Sequence, residues 1–247
     1  MNNKGKPLLM CLLPFRSAVF ILAFVIGANV VGKEVDEISN WWSVVATVVN
    51  LLTIGIIVLL AKRSGQSFFE LLNLKRGTSG KKKTALLAFA AAAVGMSGMY
   101  LSGLVFYGAI MPVVSVKIIA PVPVAIAVVN FVLLPATVSF AEDGLYLGCG
   151  VGQIQNKIAA VFIPAFFYAL QHCFIPTIFD VRYMLYRFFS FLPLTIAFCI
   201  YFQKKKDPLA IIIGHSLLDL ASASMILMTS VDGEIYTKWL EMAASAA

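Results

Sequence analysis

Charged residues are scarce in this chain. They make up 13% of its 247 residues, whereas 60% are hydrophobic, and the mean hydropathy is +0.91. That balance lies far outside the range of an average soluble domain. Apolar runs of about 20 residues, the length that crosses roughly 30 Å of hydrocarbon, recur along the sequence and leave no room for a separate soluble domain. The sequence therefore predicts a single all-α membrane domain over residues 1–247, a bundle of about seven transmembrane helices.

Cysteine pairs and the motifs of several hydrolase classes are absent as well. The four cysteines are dispersed and form no CxxC pair, which excludes a disulfide framework and favours small buried side chains. The sequence contains no HExxH, no GxSxG and no pair of intramembrane aspartates of the kind found in aspartyl intramembrane proteases. What remains is a small set of ionisable residues within the apolar runs.

Seven apolar runs are long enough to be read as spans. They cover residues 17–32, 41–61, 84–110, 119–148, 157–179, 188–203 and 208–230. We interpret the first run as a retained helix because no small-residue cleavage site leads into a soluble sequence. Residues 67–74 predict a short amphipathic helix on anionic lipid headgroups, and the polar tail 231–247 is not expected to span.

Positive charge is concentrated on one side of this layout. With the N-terminus inside, the cytoplasmic segments hold 14 lysines and arginines, and the outer segments hold 5. By the positive-inside rule this predicts a multi-pass protein of the cell membrane with a cytoplasmic N-terminus and an outer C-terminus. The basic loop at 62–83 is then a topology signal, so the expected partner is the lipid bilayer and not nucleic acid.

The ionisable residues within the spans are few and carry the functional argument. An ionised side chain in hydrocarbon costs roughly 2.5–3.5 kcal/mol on insertion scales, so an acid kept there faces protein or water and usually has a function. Taken singly, each such residue could be a hydrogen-bonding strut between helices. Taken together, both histidines of the chain and three of its twelve acids favour a site over a set of struts. These residues are Glu142, Asp143, His172, His215 and Asp219.

Their spacing places several of them on shared helix faces. His215 and Asp219 are four residues apart, which puts them about one turn apart on one face. Tyr168 and His172 have the same relation, so the phenol or the aromatic edge of the tyrosine can brace the imidazole. Three helices would therefore each offer an ionisable cluster.

A carboxylate and two imidazoles suit the activation of water. Glu142, in a poorly solvated cavity and repelled by the adjacent Asp143, would be a competent general base. The second histidine and Asp219 could donate, or orient donors, toward a tetrahedral oxyanion. Glu142, His172 and His215 would also make a plausible Zn²⁺ set, so the sequence leaves metal-free and zinc mechanisms open.

At these residues the sequence resembles the CPBP intramembrane proteases, the CAAX-protease and bacteriocin-processing group also called Abi. The family motifs EExxxRG, FxxxH and HxxxN/D, which the family carries on successive membrane helices, correspond here to residues 142–148, 168–172 and 215–219, in the same order. The resemblance covers residues 119–230, which would form a CPBP-like catalytic core. It implies a membrane endopeptidase whose cavity opens to the cytoplasm.

The resemblance also implies roles for single residues. Glu142 with His172 would activate the water, His215 and Asp219 would form the oxyanion side, and Asp143 and Tyr168 would orient or support these groups. The substrate would be a peptide or a membrane-anchored protein. The roles that the family implies include processing of bacteriocin or signal peptides and self-immunity.

The chain departs from the family motifs at three positions. Asp143 replaces the second Glu and Tyr168 replaces Phe, and both changes are mild. Leu147 stands where the family has Arg, so a cationic partner for the acids is missing, and Lys157 is the nearest cation in sequence. This loss favours a second hypothesis, a catalytically lapsed CPBP-like membrane protein that regulates a partner such as a sensor kinase. A small transporter with a His/Asp proton relay is disfavoured because the sequence shows no inverted repeat.

Overall fold

The computed structural model describes residues 11–74 and 80–245, and these residues form helices and no β-strand. The α-helices are α1 Phe15–Val31, α2 Trp42–Arg63, α3 Phe68–Leu71, α4 Lys81–Tyr107, α5 Val113–Lys117, α6 Val124–Asp143, α7 Ala159–Gln171, α8 Val181–Lys205, α9 Leu209–Val231 and α10 Gly233–Ser245. A 3₁₀ helix, Asp36–Trp41, leads into α2, and a π-helical segment, Gly144–Val151, continues α6. The basic residues at 4, 6, 75 and 76, which contribute to the predicted charge asymmetry, lie outside the described residues.

Five of these helical stretches are long and apolar enough to cross a membrane. They are Asp36–Arg63, Lys81–Tyr107, Val124–Val151, Val181–Lys205 and Leu209–Val231. The helices α1 and α7 are apolar but shorter, with 17 and 13 residues. The prediction of an all-helical membrane bundle is confirmed in this coarser form.

The predicted fifth span is too long. It was expected over 157–179, whereas α7 ends at Gln171 and the chain turns before α8 begins at Val181. Pro176 lies in this turn, and proline disfavours a continuing helix because it lacks the N–H and its ring meets the preceding turn. Asp180 then caps α8, where its Oδ1 accepts the Tyr183 N–H at 2.6 Å. The helix α8 therefore begins at Val181, seven residues before the predicted boundary at 188.

The predicted amphipathic helix at 67–74 is present but shorter. Ser67 and Glu70 form a capping box at its start, in which each side chain accepts the backbone N–H of the other residue. The predicted tail contains α10, which packs against α5 and α9 and is not among the helices long and apolar enough to span.

Most of the packing between helices is within one group, α2, α4 and α6 to α9. The helix α6 packs on α9 and α2, α4 packs on α8 and α9, and α7 packs on α8. By contrast α1 lies at the edge, with its main contacts to α2, the 3₁₀ helix Asp36–Trp41 and α7. Any strong attachment of α1 to the bundle must therefore come from a few residues.

Two apolar clusters fill the bundle, and polar residues separate them. One cluster contains Leu13, Ile57, Leu145, Tyr168 and Ile211. The other contains Phe20, Val49, Leu134, Ile175 and Ala223. Five segments therefore cross from one cluster to the other, and the stretches between these pairs carry many of the buried ionisable and polar residues, Glu142, His172 and His215 among them. These stretches thus bring distant parts of the sequence together at one level of the bundle, between the two apolar clusters.

Candidate functional site

The ionisable residues predicted from the sequence converge at this level. Oε2 of Glu142 lies 3.7 Å from Nε2 of His215 and 3.9 Å from Nε2 of His172. His215 Nε2 is also 3.4 Å from Oδ2 of Asp219, and its Nδ1 is 3.5 Å from Oδ2 of Asp143. Three helices, α6, α7 and α9, thus deliver a carboxylate pair, one imidazole and a His/Asp pair to the same point.

Local structure explains why the acid pair points inward. Asp143 ends α6, and the π-helical segment begins at the next residue, Gly144. Such π segments are rare in proteins, but those that occur are often found at functional sites. The wider turn changes the direction of the side chains around it. Both carboxylates are buried, with 2% of Glu142 and none of Asp143 exposed.

Tyr168 links Asp143 to His215. Its phenol donates to Oδ1 of Asp143 at 2.9 Å and lies 3.0 Å from Nδ1 of His215. Because the phenol has a single hydrogen, the hydrogen of the second bond belongs to Nδ1 of His215. Of the two contacts that the sequence predicts between Tyr168 and His172, the hydroxyl serves the other histidine, whereas the aromatic ring stacks with His172 at a centroid distance of 6.1 Å. Nε2 is thereby the nitrogen of His215 that faces Glu142 and Asp219.

Three contacts hold His172. Its Nδ1 lies 2.8 Å from the backbone carbonyl oxygen of Tyr168, and since a carbonyl only accepts, Nδ1 carries the hydrogen. The ring stacks on Phe191 with the centroids 3.6 Å apart and the planes 13° apart. The backbone carbonyl of His172 accepts from Nε of Arg187 at 3.2 Å. With Nδ1 carrying the hydrogen, Nε2 of the neutral His172 ring is a lone-pair acceptor directed at Glu142.

The cation that the sequence lacked near the acids comes from α1. Nη2 of Arg16 donates to Oε1 of Glu142 at 2.9 Å, and 1% of Arg16 is exposed. The expectation that the acids have no cationic partner is therefore wrong. Leu147, at the position of the family arginine, is fully buried in the apolar cluster that contains Leu13. The chain supplies the charge from a residue 126 positions away along the sequence.

Several residues around the site were not predicted or were underrated. Gln171, next to His172 in the sequence, accepts from Nε of Arg16 at 2.6 Å and from the phenol of Tyr146 at 3.2 Å. Arg187 and Phe191 fix His172 through the contacts given above. The sequence does not single out these two residues, since an arginine and an aromatic residue one turn apart are common on any helix. Ser216, next to His215, forms a hydrogen bond with Ser139, and the two hydroxyl oxygens lie 2.8 Å apart.

Two carboxylate oxygens in the site are left without a hydrogen bond from any described residue. They are Oε2 of Glu142 and Oδ2 of Asp143, and both are buried. Buried polar atoms are nearly always satisfied, so each such atom calls for an explanation. Oε2 of Glu142 faces the Nε2 atoms of His172 and His215 at distances too long for a direct hydrogen bond. A small polar molecule held at that point would satisfy all three atoms.

The most exposed member of the site marks its open side. The side chain of Asp219 is 18% exposed, against 8% for His215 and 3% for Glu142. The site is therefore approached along α9, and the other groups lie behind Asp219. A buried pair of acids and two imidazoles with one accessible edge is an arrangement suited to proton transfer.

Zinc was the alternative interpretation, with Glu142, His172 and His215 as ligands. Within the described ranges 11–74 and 80–245, no three His, Cys, Asp or Glu side chains are arranged so that they could hold a metal ion. Zinc sites need four donors, each about 2.0–2.3 Å from the metal. The described residues do not fit such a site, and the mechanism proposed for them uses no metal.

The comparisons with known proteins return no relative: no family model, no curated protein and no solved structure matches the chain. Function is therefore inferred from the residues and their geometry.

Proposed function

We propose that this protein is an intramembrane endopeptidase of the CPBP type, in which Glu142 and His172 activate a water molecule. The observation that carries the proposal is the free, buried Oε2 of Glu142, which faces Nε2 of both histidines within 4 Å. A carboxylate with one oxygen held and the other directed at two imidazoles is placed for general base catalysis. The order and spacing of the three sequence motifs support the same function.

The hydrogen positions define how the water would be held. Nδ1 of His172 donates to the Tyr168 carbonyl, so its Nε2 offers a lone pair, and Oε2 of Glu142 offers another. A water between them donates one hydrogen to each acceptor. Its own lone pair is then directed away from both groups, toward the substrate. This is the arrangement that a nucleophilic water requires.

The reaction follows from this geometry. The water oxygen bonds to the carbonyl carbon of the scissile peptide, and one water proton passes to Glu142. Collapse of the tetrahedral intermediate breaks the C–N bond while Glu142 returns that proton to the leaving nitrogen. The products are a carboxyl terminus and an amino terminus, and the carboxylate is regenerated.

His215 is placed to stabilise the oxyanion. Its Nδ1 donates to the phenol of Tyr168, so an Nε2–H donor requires the imidazolium form. Carboxylates of Asp143, Glu142 and Asp219 lie 3.4 to 3.7 Å from its two ring nitrogens and favour a positive charge on the ring. Preorganised donors of this kind contribute about 10²–10³-fold to the rate of acyl transfer. Asp219 orients this ring at the open edge of the site.

The proposed setting is the cell membrane, with the site near the cytoplasmic face. We propose seven membrane segments, in which the shorter α1 and α7 join the five long helices, with the N-terminus inside and the C-terminus outside. The positive-inside asymmetry supports this orientation, and it persists when the buried Arg16 and Arg187 are left out of the count. The substrate would be a peptide or a membrane-anchored protein, in bacteriocin or signal-peptide processing or in self-immunity.

The test is cleavage of a membrane-anchored peptide library by the purified protein in detergent. Mass spectrometry identifies the products, and one arm contains a metal chelator. Turnover that persists with the chelator supports the proposal. Turnover that is lost with the chelator and restored by Zn²⁺ would contradict the metal-free mechanism, and no product from any peptide would contradict the peptidase function.

The ion pair of Arg16 and Glu142 also bears on the noncatalytic alternative. That alternative was favoured because Leu147 removes the motif cation, and Arg16 provides one. The noncatalytic alternative therefore loses the main observation in its favour.

Substitution of Leu147 by arginine tests this point. Since the site already has its cation, we expect Leu147→Arg to cleave no faster than the wild type. The variant should lose about 3 kcal/mol of stability because it buries a second cation without a partner. Thermal unfolding and the cleavage assay measure both effects, with Leu147→Met as the control of similar volume. Faster cleavage by the arginine variant would show that the native site lacks a charge.

A further inference from the structure

Arg16 is bound on three sides by the rest of the protein. Its Nε donates to Oε1 of Gln171 at 2.6 Å, and Nη1 donates to the hydroxyl of Thr53 at 2.9 Å. Nη2 donates both to Oδ1 of Asn50 and to Oε1 of Glu142, each at 2.9 Å. The guanidinium is a planar fork of five N–H donors, and four directed bonds leave it little freedom.

The contacts of Arg16 select one oxygen of Glu142. A guanidinium often holds a carboxylate through both oxygens, but here it holds only Oε1. Oε2 is thereby left for the two histidines, whose Nε2 atoms lie 3.7 and 3.9 Å away. The guanidinium is anchored on α2 and α7, so the orientation of the carboxylate is set by elements outside its own helix.

The anchor is itself tied into the bundle. Nδ2 of Asn50 donates to the hydroxyl of Thr137 on α6, at 3.3 Å, and Thr53 donates to the Val49 carbonyl at 2.7 Å. A polar contact between membrane helices is worth about 1 kcal/mol, so the bond from Asn50 to Thr137 helps to fix α2 against the helix that carries the acids, while the bond within α2 fixes the hydroxyl of Thr53. By contrast α1 has fewer contacts than these helices, mainly with α2, the 3₁₀ helix Asp36–Trp41 and α7.

We propose that Arg16 is a positioning residue for the general base, and that α1 is therefore part of the active site. The inference rests on the proposed peptidase function. The guanidinium holds Oε1 of Glu142 so that Oε2 points at the water and the histidines. The motifs at 119–230 are then insufficient by themselves, because the charge that orients their glutamate comes from residue 16.

The experiment uses full-length variants and the best peptide found in the library. In Arg16→Met we expect kcat to fall about 10²-fold, the size of effect that a misplacement of about 1 Å produces, with KM changed less than about twofold. In Arg16→Lys the charge remains but the fork is lost, and we expect a kcat between those of the methionine variant and the wild type. A lysine variant as active as wild type would show that charge alone suffices and would overturn the role of the fork.

A matched pair of threonine variants separates positioning from stability. Thr53 and Thr47 are both buried on α2, and each donates to a backbone carbonyl one turn earlier. Only Thr53 contacts Arg16, whereas Thr47 contacts Asn130. We expect Thr53→Val to lower kcat about fivefold, the value of one hydrogen bond, and Thr47→Val to leave kcat unchanged. If Arg16→Met does not fold, the comparison of these two threonine variants still tests the positioning role of Arg16.

The outcomes distinguish the two proposals. If the wild type cleaves and the two threonine variants have equal kcat, the positioning role is wrong while the peptidase function stands. If Arg16→Met cleaves faster than the wild type, Arg16 blocks the base and does not position it. If the wild type cleaves no peptide, the peptidase function fails and the positioning role fails with it.

Discussion

Replacement of Glu142 by glutamine is expected to lower kcat by about 10²–10⁴-fold, the contribution of a positioned general base. The amide has the shape of the carboxylate, and its oxygen can still accept from Nη2 of Arg16, as Oε1 does now at 2.9 Å. It cannot accept a proton from water at neutral pH. The loss is therefore chemical, and KM should change little. Steady-state kinetics on the cleaved peptide measure both constants.

The control for this variant is the same substitution at an exposed acid. Glu234 lies on α10, its side chain is 81% exposed, and it pairs with Lys238 at 3.5 Å. Glu234→Gln also removes an ion pair, but that pair is exposed on α10 and contacts no described residue of the site, and exposed pairs contribute about 0–1 kcal/mol. We expect its turnover to equal that of the wild type. Turnover of Glu142→Gln within about tenfold of the wild type would exclude Glu142 as the base.

The sequence predicts the composition of the site well because ionisable residues are expensive in a membrane. The chain has two histidines and few acids within its apolar runs, so each one stands out. The spacing of His215 and Asp219 predicts a shared helix face, and the structure places these two side chains 3.4 Å apart. The spacing does not determine which residues on separate helices meet, since periodicity within a helix says nothing about its neighbours.

Arg16 shows the limit of that reasoning. A basic residue at the cytoplasmic end of a first span is explained by topology alone, and nothing local distinguishes it from other flanking cations. The useful signal lay elsewhere: Thr47, Asn50 and Thr53 recur on one face of a span, which is unusual if that face meets lipid. Such a face predicts a buried polar partner without saying which residue it is.

The predicted boundaries of the spans were wrong for a different reason. Hydropathy continues through residues 172–179, so an apolar window does not register the end of α7 at Gln171. Pro176 was the available signal, because proline disfavours helix both at its own position and at the residue before it. The π-helical segment, Gly144–Val151, has no comparable signal, since glycines at 144, 148 and 150 permit several backbone conformations.

The second large effect is expected at His172, where two polar replacements separate the roles of its ring nitrogens. Asparagine can keep a donor near the position of Nδ1, which lies 2.8 Å from the Tyr168 carbonyl, but it has no atom near Nε2. Glutamine reaches the position of Nε2 with an acceptor oxygen. If Nε2 accepts a hydrogen from the water, we expect kcat to fall about 10²–10³-fold in His172→Asn. The fall in His172→Gln should be smaller by about tenfold, because an acceptor that orients the water remains while Glu142 takes the proton.

The same kinetic assay measures these two variants, with Phe191→Leu as the control for the stacking contact that His172 makes at 3.6 Å. Loss of that contact loosens the ring without removing either nitrogen, so we expect it to cost less than either histidine variant. Equal losses in the asparagine and glutamine variants would contradict the assignment, since the Nε2 position would then be irrelevant to catalysis. A glutamine variant slower than the asparagine variant would assign the effect to the Nδ1 contact with Tyr168. The ranking of the three variants thus decides which atom of His172 acts on the water.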